Sequence, residues 1–202
     1  TVKDGDTGFS IALDYGVPWT AIAAANGIDA KAPVKAGQKL TIPTLTTAAA
    51  APATAAAPKP AATAAAPAAA KLPADTKAPR FAWPHGGDVR RAFTARKGTA
   101  SYHDGIDLTA TDGDAVRASA DGKVIFAGQG PKEYGLTVIL YHTGRWTTTY
   151  SFLDKITVKD GEKVKKGERI GLAGTTGLAT SPQLHFEVRR NRVAQDPADY
   201  LP

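Results

Sequence analysis

The feature that most constrains this chain is a run of alanine and proline near its middle. Residues 48–70 contain 16 Ala and 4 Pro among 23 positions. Alanine alone favours helix, but proline removes a backbone donor and clashes with the preceding helical turn. The run also holds no large apolar side chain that a core could bury. We therefore predict an extended, solvated linker over residues 45–80, which separates a small module at 1–44 from a larger domain at 81–202.

The overall composition narrows the classes of protein that the chain can belong to. It has 202 residues and a formal net charge of +6, which suits an anionic partner. Basic residues do not alternate with aromatic ones in any run, so we expect no nucleic-acid partner. The absence of cysteine excludes disulfides and thiolate metal sites. No apolar stretch reaches the ~20 residues needed to cross a bilayer, so we predict no transmembrane segment.

The pattern of residues 1–44 predicts a strand, two helices and a second strand. The strands are expected at Val2 and in the closing KLTIP segment, residues 39–43. Asp6-Thr7 suits the cap of the first helix and Gly16 suits its end. Such a unit is near the lower size limit for a domain that folds unaided.

These residues resemble the LysM family in the order GDT, YGV, NGI and GQKLTIP. The resemblance implies a βααβ fold that binds glycans containing N-acetylglucosamine in a groove between two loops. The implied glycan-binding positions are Gly5, Asp6, Thr7, Gly8, Asn26, Gly27 and Ile28. A structural interpretation, in which the first loop caps a helix and the second stops one, is compatible with glycan binding.

Residues 81–202 predict an all-β domain, because short apolar runs alternate there with glycine turns. The segment QLHFEV alternates apolar and polar residues, which predicts a half-buried strand with Gln183, His185 and Glu187 on its polar face. His142 precedes a hairpin glycine, so we expect it at a surface turn.

Histidine and carboxylate side chains at two places suggest a zinc site. The segment HDGID spaces His103 and Asp107 four residues apart, and His185 would supply a third ligand. Imidazole and carboxylate groups bind zinc, and three protein ligands leave a fourth position open. Taken alone, an HxxxD pair is more often a chance match.

The successive segments FAWPHGGDV, HDGIDL, ADGKVIFAG, VKDGEKVKKGERIGLAGTTG and LHFEV resemble the lysostaphin/LytM family of zinc peptidoglycan endopeptidases. The resemblance implies zinc ligands at His103, Asp107 and His185. It places the family's two catalytic histidines at Phe152 and Gln183, and neither of these side chains accepts a proton at neutral pH. We therefore expect weak or partial zinc occupancy and a domain that is degenerate as an enzyme.

A LysM module joined to such a domain resembles the LytM-domain activators of cell-division amidases. The resemblance implies two partners, peptidoglycan and an N-acetylmuramoyl-L-alanine amidase or other wall hydrolase, and a periplasmic location. An outer-membrane anchor through a removed N-terminal segment stays open.

The groove for the protein partner is expected at Tyr150, Phe152, Leu178 and Gln183. Because Tyr150 and Phe152 share one face of an alternating strand, they also suit a core. Two other functions remain alternatives. One is an active zinc metalloendopeptidase that cleaves peptidoglycan cross-links, and the other is a structural wall-binding protein.

Overall fold

The computed structural model describes residues 1–30, 32–43, 78–96 and 101–202. Most of the predicted linker therefore lies outside the described residues. The helices are α1 (Gly8–Tyr15) and α2 (Trp19–Ala25). The strands are β1 (Val89–Arg91), β2 (Ile106–Thr109), β3 (Ala115–Arg117), β4 (Gly122–Gln129), β5 (Leu136–His142), β6 (Trp146–Ile156), β7 (Lys163–Val164), β8 (Arg169–Ala173), β9 (Gln183–Arg190) and β10 (Val193–Gln195). Within the described ranges, neither helix is long and apolar enough to span a membrane.

The first 43 residues are built around α1 and α2. The Thr7 hydroxyl accepts a hydrogen bond from the Ser10 amide at 3.2 Å, which satisfies an N–H group that the helix leaves unpaired. Gly16 ends α1 in the left-handed region, with φ of 64°. Both features agree with the cap and the end that the sequence predicts for this helix.

The flanking strands differ from the prediction, because the described part of this module contains no strand. Val2 and the segment near Gln38 share two backbone hydrogen bonds, from Val2 N–H to the Gln38 carbonyl at 2.8 Å and from Gly37 N–H to the Val2 carbonyl at 2.9 Å. The closing segment is held by a side chain instead. Asn26 accepts from the Thr41 amide at 2.7 Å and donates to the Thr41 carbonyl at 2.8 Å, in place of a neighbouring strand.

The described residues of 81–202 form an antiparallel sheet, which confirms the predicted all-β domain. Seven strands follow the order β1-β2-β9-β6-β5-β4-β7, while β10 pairs with β9 and β8 pairs with both β3 and β6. The strand β9 lies between β2 and β6, and its apolar side chains Leu184, Phe186 and Val188 are fully buried. A central position explains why the polar face of β9 is buried too, although the sequence predicted a half-buried strand.

The long strand β6 changes neighbours along its length. It pairs with β9 as far as Ser151 and with β8 from Leu153 onward. Phe152 lies between these two regions, where the β5–β6 register also shifts, and its φ is 68°. An extra residue in one strand bends the chain and redirects a side chain, so β6 has a bulge at Phe152.

His142 is buried rather than at a surface turn, which corrects the sequence prediction. Its Nδ1 lies 2.7 Å from the Asp121 carbonyl, and its Nε2 lies 2.8 Å from the Thr148 hydroxyl. Burial lowers the pKa of His142 to about 4. The histidine is therefore a neutral part of the core.

Candidate functional site

The three predicted metal ligands meet where β2 and β9 pair. Asp107 lies directly opposite His185 in that ladder, and His103 lies in the turn before β2. The donor atoms of the three residues all lie within 4.8 Å of one another, and all three side chains are buried. Asp107 Oδ1 is 3.2 Å from His103 Nε2 and 2.7 Å from His185 Nδ1.

Tight packing fixes the turn that carries the first ligand. A Cβ atom at Gly105 would overlap the Phe186 carbonyl oxygen, so glycine lets this turn lie against β9. On the other side, the backbones of Thr94 and His103 exchange two hydrogen bonds of 2.9 and 3.0 Å. The position of His103 therefore follows from packing.

Each imidazole has one nitrogen engaged outside the cluster. His103 Nδ1 donates to the Ala92 carbonyl at 2.9 Å, which leaves Nε2 directed at Asp107. His185 Nε2 lies 3.2 Å from Glu187 Oε1, which leaves Nδ1 on the cluster side. Acceptors of this kind orient the histidine ligands of metals.

The donor set fits zinc. Ligand atoms about 2.1 Å from a tetrahedral zinc ion lie roughly 3.4 Å apart. The separations at Asp107 are 3.2 Å, which is near this value, and 2.7 Å, which is shorter. Two imidazoles and one carboxylate are also ligand types that zinc accepts, and they leave a fourth position open. The cluster is thus a candidate zinc centre.

Opposite charges in the cluster outweigh the effect of burial. Burial alone would lower the pKa of His185, but hydrogen bonds with Asp107 and Glu187 raise it to about 9. Burial would raise the pKa of Asp107, but its contacts with the two histidines hold it well below its usual range.

A buried charge network supports the cluster from behind. Glu187 is fully buried and accepts from Arg189 Nε at 2.7 Å, and Arg189 also donates to Asp104 at 3.1 Å. Burial would raise the pKa of Glu187, but His185 and Arg189 lower it to about 2. Arg189 and Asp104 were not among the predicted site residues, although alternation in HFEVR places residues 185, 187 and 189 on one face.

The bulge in β6 directs Phe152 toward the cluster. Its ring centroid lies 5.5 Å from that of His185, and its amide donates to the Tyr134 carbonyl at 3.0 Å. A positive φ is unfavourable for a bulky residue and persists only where surrounding structure holds it. Phe152 therefore lines the groove, and its side chain is also buried, with 8% exposed, as the core interpretation expects.

The structure places Tyr150 in the core and not in the groove, contrary to its predicted position. Its side chain is fully buried, and its hydroxyl accepts from the Ser119 amide at 2.8 Å. Tyr150 and Phe152 separate because the bulge breaks the alternation of β6 between them. We therefore leave Tyr150 out of the groove.

Gln183 lies at the first position of β9 and also faces the groove. Arg90 Nη1 lies 3.5 Å from the Gln183 amide oxygen and also contacts the Ser181 hydroxyl. The amide can donate and accept hydrogen bonds but has no basic site for a proton at neutral pH.

An open groove of about 560 Å³ lies over the cluster. Its lining combines rim cations, aromatic rings and the buried polar centre: Arg90, Arg91, Arg96, Tyr102, Tyr134, Phe152, Leu178, Gln183 and His185 are among its residues. The Arg96 guanidinium stacks 3.6 Å from the centroid of the Tyr102 ring and pairs with Asp104 at 2.9 Å. Leu178 is 61% exposed, so the groove presents apolar surface to solvent.

The predicted glycan-binding positions lie in two loops beside the ends of α1 and α2. Gly5 and Gly27 have positive φ values of 83° and 64°, and no atom would crowd a side chain added at either. Thr7 is occupied in capping α1 and Asn26 in holding the closing segment. Gly8 lies against the Trp19 ring. Backbone groups therefore remain as the main polar surface of these loops.

Two protein families match the chain in sequence. The LysM domain matches residues 1–43, and peptidase family M23 matches residues 101–197. The chain is 34% identical to a Pseudomonas aeruginosa protein, "Lipoprotein NlpD/LppB homolog", over 100% of this chain and 76% of that protein. It is 40% identical over 119 residues to "Cell division protein DipM" of Caulobacter vibrioides, covering 59% of this chain and 19% of that one. It is 36% identical to "Murein hydrolase activator NlpD" of Escherichia coli, covering 59% and 31%.

Solved structures resemble the C-terminal domain. A zinc-containing peptidase from Vibrio cholerae is 34% identical with a TM-score of 0.54, covering 58% of this chain and 39% of that one. The catalytic domain of lysostaphin from Staphylococcus simulans is 31% identical with a TM-score of 0.52, covering 56% and 91%. A chain of the SpoIIQ-SpoIIIAH pore-forming complex is 28% identical with a TM-score of 0.53, covering 61% and 91%.

Proposed function

The chain belongs to the family of proteins that join a LysM domain to a peptidase family M23 domain, and on that basis we propose that it binds peptidoglycan and activates wall hydrolases. The predicted LysM and lysostaphin/LytM-type domains are confirmed. The proposed hydrolase is an N-acetylmuramoyl-L-alanine amidase acting in cell division and wall remodelling. One relative is named a cell division protein and another a murein hydrolase activator, which supports this function.

The observation that carries the proposal is a formed groove without a proton acceptor at its two central positions. Peptide hydrolysis needs a group that takes a proton from water, and such a group typically contributes about 10²–10⁴-fold to the rate. Phe152 and Gln183 cannot take that proton. Glu187 is buried against Arg189, so its charge is already neutralised.

We propose that His103, Asp107 and His185 hold zinc with weak or partial occupancy. A zinc ion at such a site lowers the pKa of a bound water to about 7. The Phe152 ring lies 5.5 Å from the His185 ring and has no hydrogen-bonding group to offer to a ligand held there, which would weaken the site. The chain's own contribution is then to orient the ligands through Ala92 and Glu187.

The groove supports docking of a protein segment. An extended segment can satisfy its backbone groups against a sheet and place side chains in pockets. Phe152 and Leu178 offer apolar contact, and Gln183 offers a donor and an acceptor. Docking there could remove an inhibitory element from an amidase, provided that the groove binds the released form more tightly.

We assign peptidoglycan binding to the LysM domain, through Gly5, Asp6, Thr7, Gly8, Asn26, Gly27 and Ile28. The backbone groups of these loops suit the acetamido groups of the glycan. The proposed location is the periplasm, which the name of the lipoprotein relative supports.

Dye release from labelled sacculi tests the activator function. Each candidate amidase of the source organism is assayed with the full chain, with Leu178→Glu and with Val193→Glu. Leu178 and Val193 are similarly exposed, at 61% and 63%, but of the two only Leu178 lines the groove. We expect Leu178→Glu to abolish activation and Val193→Glu to keep it. Indifference of every amidase to the full chain would favour the structural wall-binding alternative.

The endopeptidase alternative has one specific observation in its favour. Glu133 is an exposed carboxylate in the groove lining, where it could serve as an unexpected base. Muropeptide analysis after prolonged incubation with the isolated protein distinguishes the two functions. New cross-link cleavage products that disappear in Glu133→Gln and His185→Ala would establish this alternative.

A further inference from the structure

The LysM domain packs against the outer face of the β4–β5 hairpin. Side chains from both domains form one apolar cluster, to which the second domain contributes Ile125, Phe126 and Ile139. The Phe9 ring contacts the Phe126 ring edge-on, with centroids 5.2 Å apart. At the other end of α1, a Cβ atom at Gly16 would lie 2.6 Å from the Tyr141 ring. The two domains therefore approach closely along the whole of α1.

Polar contacts accompany this apolar surface. Asp160 follows β6 and accepts from the Thr20 amide in α2 at 3.4 Å. Arg192 lies 3.7 Å from Asp14. These contacts add polar links across the interface, although the Arg192–Asp14 pair is exposed and therefore contributes little.

Tyr134 is the residue that connects this interface with the groove. On one side its ring lies 5.3 Å from the Phe9 ring of the LysM domain. On the other side its ring lies 5.7 Å from the His185 ring, and its hydroxyl donates to Glu187 at 3.0 Å. One side chain thus contacts the LysM domain and the support of the metal centre.

The loop around Tyr134, residues 130–135, also holds both walls of the groove. The Tyr134 carbonyl accepts from the Phe152 amide at 3.0 Å, and the Glu133 carbonyl accepts from the Leu178 amide at 3.4 Å. The next residue, Leu136, donates to the Thr176 hydroxyl at 3.0 Å. Displacement of the 130–135 loop would therefore free the bulge and the 176–180 segment together.

We propose that docking of the LysM domain holds the 130–135 loop in place and thereby keeps the groove formed, with Tyr134 as the positioning residue. The LysM domain is then a structural partner of the groove as well as a wall-binding module. Because the domains are joined by a chain segment, docking is intramolecular and occurs at a high effective concentration. Linkage requires the reverse effect too, so a ligand that favours the formed groove strengthens docking by the same factor.

Hydrogen exchange of the full chain tests this coupling without any ligand or partner. Tyr141→Lys places a charge at the interface with α1 but outside the groove, and Phe9→Ala removes the ring that contacts Tyr134. Tyr15→Lys is the matched control, because Tyr15 is 55% exposed on the same helix. Small-angle X-ray scattering reports whether the domains separate in each variant.

We expect Tyr141→Lys and Phe9→Ala to enlarge the particle and to speed exchange several-fold in peptides covering 130–137, 149–153 and 176–180. Peptides from β2 and all peptides of the control variant should exchange as in the wild type. If scattering shows that the domains stay docked in a single variant, the variant that combines Tyr141→Lys with Phe9→Ala is used instead, because it removes both contacts.

A double-mutant comparison tests the role of Tyr134. Tyr134→Ala should loosen the same groove peptides, and adding Tyr141→Lys should then change them little, since the connection is already lost. Two results would overturn the proposal. In one, the wild-type domains are separate in solution, and in the other they separate in Tyr141→Lys while exchange in the groove stays unchanged.

Discussion

His142 provides a quantitative prediction about acid stability. The buried imidazole has a pKa of about 4, against an ordinary value near 6.5, because burial disfavours its charged form. A histidine whose pKa is depressed by folding binds protons more tightly in the unfolded chain. Its contribution to stability is therefore complete above pH 6.5 and is lost as the pH falls toward 4.

The size of the effect follows from the two pKa values. A difference of about 2.5 units at 1.36 kcal/mol per unit corresponds to about 3 kcal/mol at full protonation. Most of this, roughly 2.5 kcal/mol, is lost already at pH 4.5. That is a large share of the total stability of an ordinary domain.

The assay is urea unfolding at pH 7.5 and pH 4.5 for the wild type, His142→Gln and His85→Gln. We expect His142→Gln to lose about 2.5 kcal/mol less than the wild type on acidification. His85→Gln serves as the control, because His85 pairs with Asp114 at 3.6 Å outside the core. The other two histidines are present in every variant, so their contributions cancel in the comparison. Equal losses in His142→Gln and the wild type would refute the reasoning.

Three further predictions concern the wall, the metal and the missing chemistry. Deleting residues 1–43 should sharply reduce retention on insoluble peptidoglycan, and equal retention of the shortened chain would contradict a LysM-based wall affinity. Asp107→Asn should weaken zinc binding by at least tenfold in isothermal titration calorimetry, because it replaces an anionic ligand with a neutral amide, and unchanged affinity would exclude Asp107 as a ligand. The wild type should show no cross-link cleavage in muropeptide analysis, whereas Phe152→His combined with Gln183→His should show weak cleavage. Cleavage by the wild type that disappears in His185→Ala would contradict the expected lack of peptidase activity.

The resemblance to a known family selected His103, Asp107 and His185 as candidate zinc ligands, and the local patterns around them agree with the cluster that the structure shows. His103 and Asp107 stand on either side of a tight turn, and His185 lies on an alternating strand. Antiparallel pairing then brings Asp107 opposite His185. The degenerate positions Phe152 and Gln183 were found through resemblance, and both line the groove.

Other features depend on tertiary structure that local patterns do not encode. The bulge in β6 moves Phe152 and Tyr150 to different environments, although strict alternation would keep them together. His142 looks like a turn residue because a glycine follows it closely, but the preceding strand carries it into the core. Tyr134 lies in a glycine-containing loop that gave no signal of its contacts.

The strands expected at the ends of the LysM domain illustrate a different limit. An alternating apolar pattern indicates which side chains face a core, but the number of backbone hydrogen bonds depends on what lies beside the segment. Here the Asn26 side chain takes the place of a strand neighbour for Thr41. The apolar pattern correctly predicted which residues face the core, but it could not show that the Asn26 side chain would bind the backbone of the closing segment.

Gly105 has a consequence for how sequence variation in this domain should be interpreted. The glycine stands between two candidate ligands, and a Cβ atom there would overlap the Phe186 carbonyl oxygen, so the glycine is required by packing whether or not a metal binds. Homologous chains that have dispensed with the metal would be released from selection at His103 and Asp107 while remaining under selection at position 105. Homologues that vary at positions 103 and 107 but keep glycine at 105 would then have lost metal binding and kept the turn. Homologues that vary at all three positions would have a turn of different structure.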